Sequence, residues 1–379
     1  MLYEDHLKIR EDLLAGRIPK RLFIRLTFTL EAACGLAGLD LCRAHYDPEI
    51  KNKAMRSICE TFYSDTFPIE NVRFPAVYQT LGAKNWVMSS NGMMQHPEIT
   101  SFTPDDYESF IENPYAVILE KVLPKICKAL EGDKFHAALA FAKAYNLFLQ
   151  TAGQEGASIA EISKEFGYVP GWFVGGFCEA PFDFIADQLR GFKGINIDVR
   201  RCPDLLERVV NAALPLMLKL AIPRKVPLNH IVFIPLHLAP YLRPKDFERL
   251  YWPSFEKLVS TCADTGIRSF LFAEVDWTPY VSFLEKLPKG TIIQFERGDY
   301  KKIKETFGNK HVFGGFFDPT MTLTHSKEEC IDWVKRMLDV CAPGGGFYFG
   351  FDRHVLDIKS IDVKKLQAVC DYVHLNTNY

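Results

Sequence analysis

From residue 229 onward, the hydrophobic positions alternate between two periods. Ile231-Val232-Phe233-Ile234 is an unbroken apolar run, opened by Asn229-His230 and closed by Pro235-Leu236-His237. Such a run reads as a strand buried on both faces. Phe247, Leu250, Tyr251, Phe255, Leu258 and Val259 then recur at helical spacing, which predicts a helix over residues 244–263 that Gly266 stops. The unit repeats. A strand over 269–273 ends at Glu274 and precedes a short helix to Leu287. A strand over 291–295 ends at Glu296 and precedes a helix over 300–307. A strand over 311–316 ends near Asp318 and precedes a helix over 326–341, opened by Ser326 with Glu328 and Glu329 in its first turn. A strand over 347–351 ends at Asp352, before a last helix from about Val363.

The first half is less regular. Residues 22–29, 62–67 and 172–177 read as three earlier strands. Residues 74–96 read as an excursion beside the sheet, and 104–145 as helices filling the gap before the third strand. Eight apolar strands alternating with helices predict an α/β fold, a single (β/α)8 TIM-type barrel with an N-terminal helical extension and inserted segments. No Ser/Gly linker divides the chain, so residues 1–379 are expected to form one domain. An open doubly wound sheet is the competing architecture.

Composition narrows the functional classes. A net charge of −2 over 379 residues removes the main argument for nucleic acid, which needs clustered Lys and Arg. The basic stretch from Arg353 to Lys365 is interrupted by acids and reads as a solvated surface. The charged N-terminus lacks the apolar core of a secretory signal, and no apolar run approaches the ~18 residues of a membrane span. Ten cysteines without a CxxC pair fit reduced thiols. A cytoplasmic protein without membrane or nucleic-acid partners is the expectation.

In barrels of this kind, working residues sit at the C-terminal ends of strands. Those ends read out Asp65, Glu179, His237, Glu274, Glu296, Asp318 and Asp352, one imidazole and several carboxylates, which suits a metal site or acid/base chemistry. Each also has a bland reading. His237 suits a hydrogen-bonded structural role, Glu274 and Asp276 a helix cap, Asp299 the cap of the next helix, and Asp318-Pro319 a turn. Pro343-Gly344-Gly345-Gly346 precedes a strand instead of a helix, so it reads as a turn and not a phosphate cradle. Cys178 has no paired His or nucleophile elbow beside it.

Gly175-Gly176-Phe177-Cys178-Glu179-Ala180-Pro181-Phe182, running on to Gln188-Leu189-Arg190-Gly191, resembles the glycine–phenylalanine–alanine–proline segment of uroporphyrinogen decarboxylases. Phe62-Tyr63-Ser64-Asp65 resembles that superfamily's Ser-Asp segment, whose aspartate contacts substrate pyrrole nitrogens. The stretch from Gly314-Gly315 through the triple glycine to Phe349 is also similar, so the resemblance covers nearly the whole chain. Arg25-Leu26-Thr27-Phe28-Thr29 stands where true decarboxylases carry Arg-Gln-Ala-Gly-Arg, so the guanidiniums that a carboxylate-rich tetrapyrrole needs are missing. His237-Leu238-Ala239 likewise lacks the His-x-Cys of the thiol-acting methyltransferases. Pro235-Leu236-His237, Tyr251-Trp252-Pro253 and Ala273-Glu274 look most like the methyltransferase components of corrinoid-dependent O-demethylase systems.

That resemblance implies methyl transfer from a methoxylated donor, an aromatic ether, to cob(I)alamin on a separate corrinoid protein. On this reading His237 and Glu274, with a third ligand from Glu296 or Asp352, hold Zn2+ and activate the leaving group. Phe28, Trp172, Phe177, Phe233, Trp277 and Phe316 are candidates for the substrate wall, and core positions otherwise. Two alternatives stand beside it: a metal-free decarboxylase with Asp65 at the pocket floor, and a non-catalytic protein that binds a small aromatic.

Overall fold

The computed structural model describes residues 2–377 apart from Val72, Phe173, Val174 and Leu228. Its strands, in chain order, are β1 (Phe23–Arg25), β2 (Val87–Met88), β3 (Met94–Gln95), β4 (Gly175–Phe177), β5 (Ile231–Leu236), β6 (Arg268–Asp276), β7 (Ile292–Arg297), β8 (Val312–Gly315) and β9 (Phe347–Gly350). Seven of them form one sheet in the order β1-β9-β8-β7-β6-β5-β4, and every pairing in it is parallel. Helices alternate with the strands from β4 onward, because a parallel sheet with apolar strands must be covered on its faces. The architecture is an α/β fold consistent with a TIM-type barrel.

Five expected strands coincide with β5 to β9 within a few residues. The expected first strand is shorter, at β1. Residues 62–67 form no named strand, but they run between the sheet's two end regions. Asp65 N–H donates to Ile24 O at 2.9 Å, Val169 N–H donates to Asp65 O at 3.0 Å, and Thr66 bridges Val169 in parallel. Of the expected third strand, Phe173 and Val174 lie outside the described residues, and the remainder ends in β4.

A second core lies on the inner side of the sheet. Phe23, Ile231, Phe270, Ile292, Val312 and Tyr348, one from each of six strands, pack together with Trp172. Ile9 and Leu13 of the helix Leu2–Leu14 close this core from below. The larger apolar core lies between the sheet's outer face and the helices. The excursion after residue 74 is a helix, Pro75–Leu81, followed by the antiparallel hairpin β2–β3. Residues 104–145 differ from expectation. Several short helical turns end near Leu130, and one helix of 33 residues then runs from Lys134 to Phe166. No helix among the described residues is long and apolar enough to cross a membrane.

Candidate active site

Three strand ends and one following turn build a cluster around His237. The residue after β5 is held by its own backbone: His237 N–H and Leu238 N–H donate to the two oxygens of Asp183, at 3.1 and 3.0 Å. Tyr251 OH donates to the same carboxylate at 2.7 Å. The imidazole is held from both edges. Nδ1 donates to Asp187, and Nε2 lies 3.3 Å from Glu274 at the end of β6. Asp183 is fully buried, whereas the His237, Asp187 and Glu274 side chains are 30%, 23% and 36% exposed, so the triad faces outward.

Burial alone would disfavour the imidazolium. The bonds to Asp187 and Glu274 outweigh it and push the His237 pKa up to about 12. The surrounding acids move the other way from their usual behaviour. Burial, reinforced by the Asp187 charge, raises Glu179 to about 7. Burial likewise pushes Asp183 upward, although His237 and the Tyr251 hydroxyl favour its ionised form. One Glu179 oxygen accepts from Gln188 at 2.7 Å, and the other is buried without a partner. The site therefore combines a fixed cation with an acid, Glu179, that holds its proton near neutral pH, a pattern suited to general acid chemistry.

The backbone at Glu274 is strained. The β6–β7 register shifts between Ala273 and Asp276, and Val275 has φ 63°. A β-branched residue in the left-handed region is a true outlier, and such strain collects at functional sites. Glu296 stabilises the bulge, accepting Val275 N–H at 2.7 Å. Its other oxygen lies 3.1 Å from Arg353, whose guanidinium also meets Asp352 at 3.3 Å and Asp318 at 3.7 Å. Burial raises Asp352 to about 7 despite Arg353.

The four expected metal ligands are not gathered into one set. Among the described residues, no group of three or more His, Cys, Asp or Glu side chains is arranged to hold a metal ion. His237 Nε2 and Glu274 have suitable donor types, and a carboxylate on Nδ1 is a familiar arrangement for a ligating imidazole. Glu296 and Asp352, however, are occupied by Arg353 and by backbone N–H groups. Two donors do not make a zinc site, and the four-residue set does not fit one.

Asp65 is not brought to this cluster. Both its oxygens accept from Arg21, at 2.6 and 2.9 Å, and one also accepts Ile24 N–H, while Tyr63 and His6 complete its surroundings. Arg21 precedes β1, so the carboxylate belongs to the N-terminal side of the sheet. The expected substrate wall is also redistributed. Phe28 is wholly buried between Phe62 and Phe351. Trp172 packs on Phe23 and Tyr348, and Trp277 sits among Phe247, Tyr251 and Tyr280. Phe316 stacks on Phe295 and is nearly buried, Phe233 is half-buried between Phe177 and Phe270, and Phe177 alone of the six is exposed.

A cavity of about 330 Å3 lies between the hairpin β2–β3 and the segments after β1, with Glu70, Arg73, Trp86, Met94, His96 and His45 in its lining. Trp86 stacks on His96 at 4.2 Å, and the Arg73 guanidinium lies 4.4 Å from the same ring. Burial lowers the His96 pKa while the Asp187 charge opposes it, and none of His237, Asp187 and Glu274 lines this cavity. Glu70, bonded to Arg25 and to His354 at 2.7 Å, is held at about 2; burial opposes that shift, and the two cations overcome it.

Asp183, Asp187, Arg353, Glu70 and the residues around Trp86 carry most of these contacts, and none stood out in the sequence. The signal for two of them was present: Glu179, Asp183 and Asp187 recur every four residues, which puts them on one side of a helical turn.

No family model matches the chain, and no curated protein matches it. Among solved structures it is similar to a methyltransferase from Methanosarcina mazei, with 15% identity, a TM-score of 0.59, and coverage of 97% of this chain and 98% of that one. At that identity the likeness is one of fold, and it extends over almost the entire length of both chains.

Proposed function

We propose that this chain is a methyltransferase that takes a methyl group from a small methoxylated donor, an aromatic ether, and passes it to a cobalamin carried by a separate corrinoid protein. The observation that carries this reading is the outward-facing His237 at the end of β5, clamped between Asp187 and Glu274. The fold likeness to a methyltransferase supports it.

An aryl ether releases its methyl group only if the departing oxygen's charge is stabilised. His237 serves this end as a positive charge already in place, since its protonated form is favoured far above neutral pH. Asp183 fixes where the imidazole sits and Asp187 fixes its orientation. Trp86 and Met94 offer the donor ring apolar contact in a cavity otherwise lined by polar side chains such as Glu70, Arg73 and His96. The cobalamin, when bound, supplies the nucleophile that accepts the methyl carbon. No step in this reading passes through a metal.

The test is methylcobalamin formation, followed by absorbance, with purified protein, free cob(I)alamin and a panel of methoxybenzoates, methoxyphenols and methanol. Transfer from at least one aryl ether is expected. His237→Ala, checked for folding by circular dichroism, should lose about 100-fold or more of the rate, the usual scale for removing one group that stabilises developing charge. Full activity in that variant, or no transfer from any donor, would overturn the reading.

A further inference from the structure

The helix Lys134–Phe166 has two apolar sides, and the described residues cover one of them, touching the other only where Phe74 meets the edge of Phe148. At 1.5 Å per residue its 33 residues span roughly 50 Å. Ala144, Glu155 and Ile162 are its buried residues and define a narrow stripe toward the body of the protein. Phe135, Leu139, Phe141, Tyr145, Phe148 and Leu149 are all exposed large hydrophobics, Phe135 at 72% and Tyr145 at 56%. At 3.6 residues per turn these six fall within about half of the helix circumference, beside the buried stripe. A soluble surface helix normally shows charge on that side. Here Lys143 is the only charged side chain between His136 and Glu155.

A second observation is independent of the first. Gly153 and Gly156 lie inside this helix, where glycine lowers helix stability relative to alanine, and a Cβ at either position would meet nothing within 4 Å. Among the described residues, nothing gives a packing reason for either glycine. Both positions fall on the same exposed arc. A close approach by a backbone from outside the chain supplies the reason that the described residues lack.

We propose that this face is the interface of a homodimer, in which the helices Lys134–Phe166 of two copies pack against each other. The area is adequate. With 150–250 Å2 per fully exposed aromatic ring, the six large side chains alone offer roughly 600 Å2, against a usual ~800 Å2 per partner. The intervening alanines and glycines extend the patch. Its chemistry selects the occupant. Interfaces that open and close in each turnover are about as polar as ordinary surface, whereas permanent homodimer interfaces are distinctly apolar. A nearly uncharged face is also complementary to itself, as a two-fold interface requires. Helices that lie on lipid carry basic residues along their polar edge, and a single lysine does not meet that pattern.

Sedimentation velocity of the full chain over a range of micromolar concentrations tests the proposal. The expected species has twice the 43.3 kDa chain mass. The double substitution Tyr145→Glu with Leu149→Glu should weaken self-association at least 100-fold while far-ultraviolet circular dichroism and thermal unfolding show a folded monomer. If that variant fails to fold, Gly156→Leu decides the matter. Its side chain has open space in the monomer but blocks the close approach, so it too should give folded monomers. A monomeric wild type, or a dimer that survives Gly156→Leu, overturns the proposal. So does a monomeric wild type that pellets with phosphatidylcholine–phosphatidylglycerol vesicles, which would assign the face to lipid.

Discussion

Asp183→Ala is the perturbation that most directly measures how His237 is held. Asp183 has no exposed surface and accepts three bonds, from His237 N–H, Leu238 N–H and Tyr251 OH. Truncation leaves the two backbone donors buried with no acceptor in reach and strands the phenol as well. Each buried unpaired donor costs about 1–2 kcal/mol, so the variant should lose about 3–6 kcal/mol of stability. For a chain of this length about 2 °C per kcal/mol is a fair scale, which gives a drop in Tm of roughly 6–12 °C. Tyr251→Phe removes only the hydroxyl and should cost about 1 kcal/mol. In the Asp183→Ala background it should cost less, because the phenol no longer has that partner. Calorimetry on the two single variants and the double variant supplies all the numbers. A loss below about 1 kcal/mol for Asp183→Ala, or full additivity in the double variant, would refute the claim that this carboxylate anchors the end of β5.

Two further predictions concern protons and metal. Asp352 is raised to about 7, chiefly by burial, so the folded chain holds an extra proton between the ordinary aspartate value and about pH 7. Stability from this neutral acid is complete below the unfolded pKa and declines as pH rises toward 7, by up to about 1.4 kcal/mol per pH unit. Glu179, Asp183 and His237 act in the same direction, the last mainly above pH 6.5, whereas Glu70 adds stability only above its depressed value. Tm should therefore fall from pH 5 to pH 8, less steeply in Asp352→Asn; a rise over that range would contradict the assignment. Chelation should leave His237-dependent transfer unchanged, because Arg353 already engages Glu296 and Asp352. Loss of activity that zinc restores would show that the carboxylates exchange the guanidinium for a metal.

The second half of the fold was legible because its strands are unbroken apolar runs such as Ile231-Val232-Phe233-Ile234, and its helices carry clear stops such as Gly266 and Gly308. The first half was not. Residues 62–67 are held by isolated bonds and a bridge between distant segments, which leave no periodic trace. The long helix was read short because Phe135 to Leu149 is apolar on several sides and carries no stop before Gly167. At the site, His237 and Glu274 could be placed at strand ends, since the register of the strands puts them there. Their neighbours could not. Asp183 and Asp187 come from the helical segment after β4, and Arg353 collects Glu296, Asp318 and Asp352 by reaching across strand ends. A count of acids at strand ends gives no information on which of them already has a cation. Asp65 shows the same limit, because its partner Arg21 lies 44 residues away in sequence.

The account depends most on the charge of one side chain. Nitrogen-15 NMR of histidine-labelled protein, with His237→Gln to assign the resonance, reads that charge directly. At pH 9 the His237 ring should still carry protons on both nitrogens, held by Asp187 and Glu274. A ring that loses its proton near pH 6.5, like an ordinary histidine, would show that the clamp does not exist in solution.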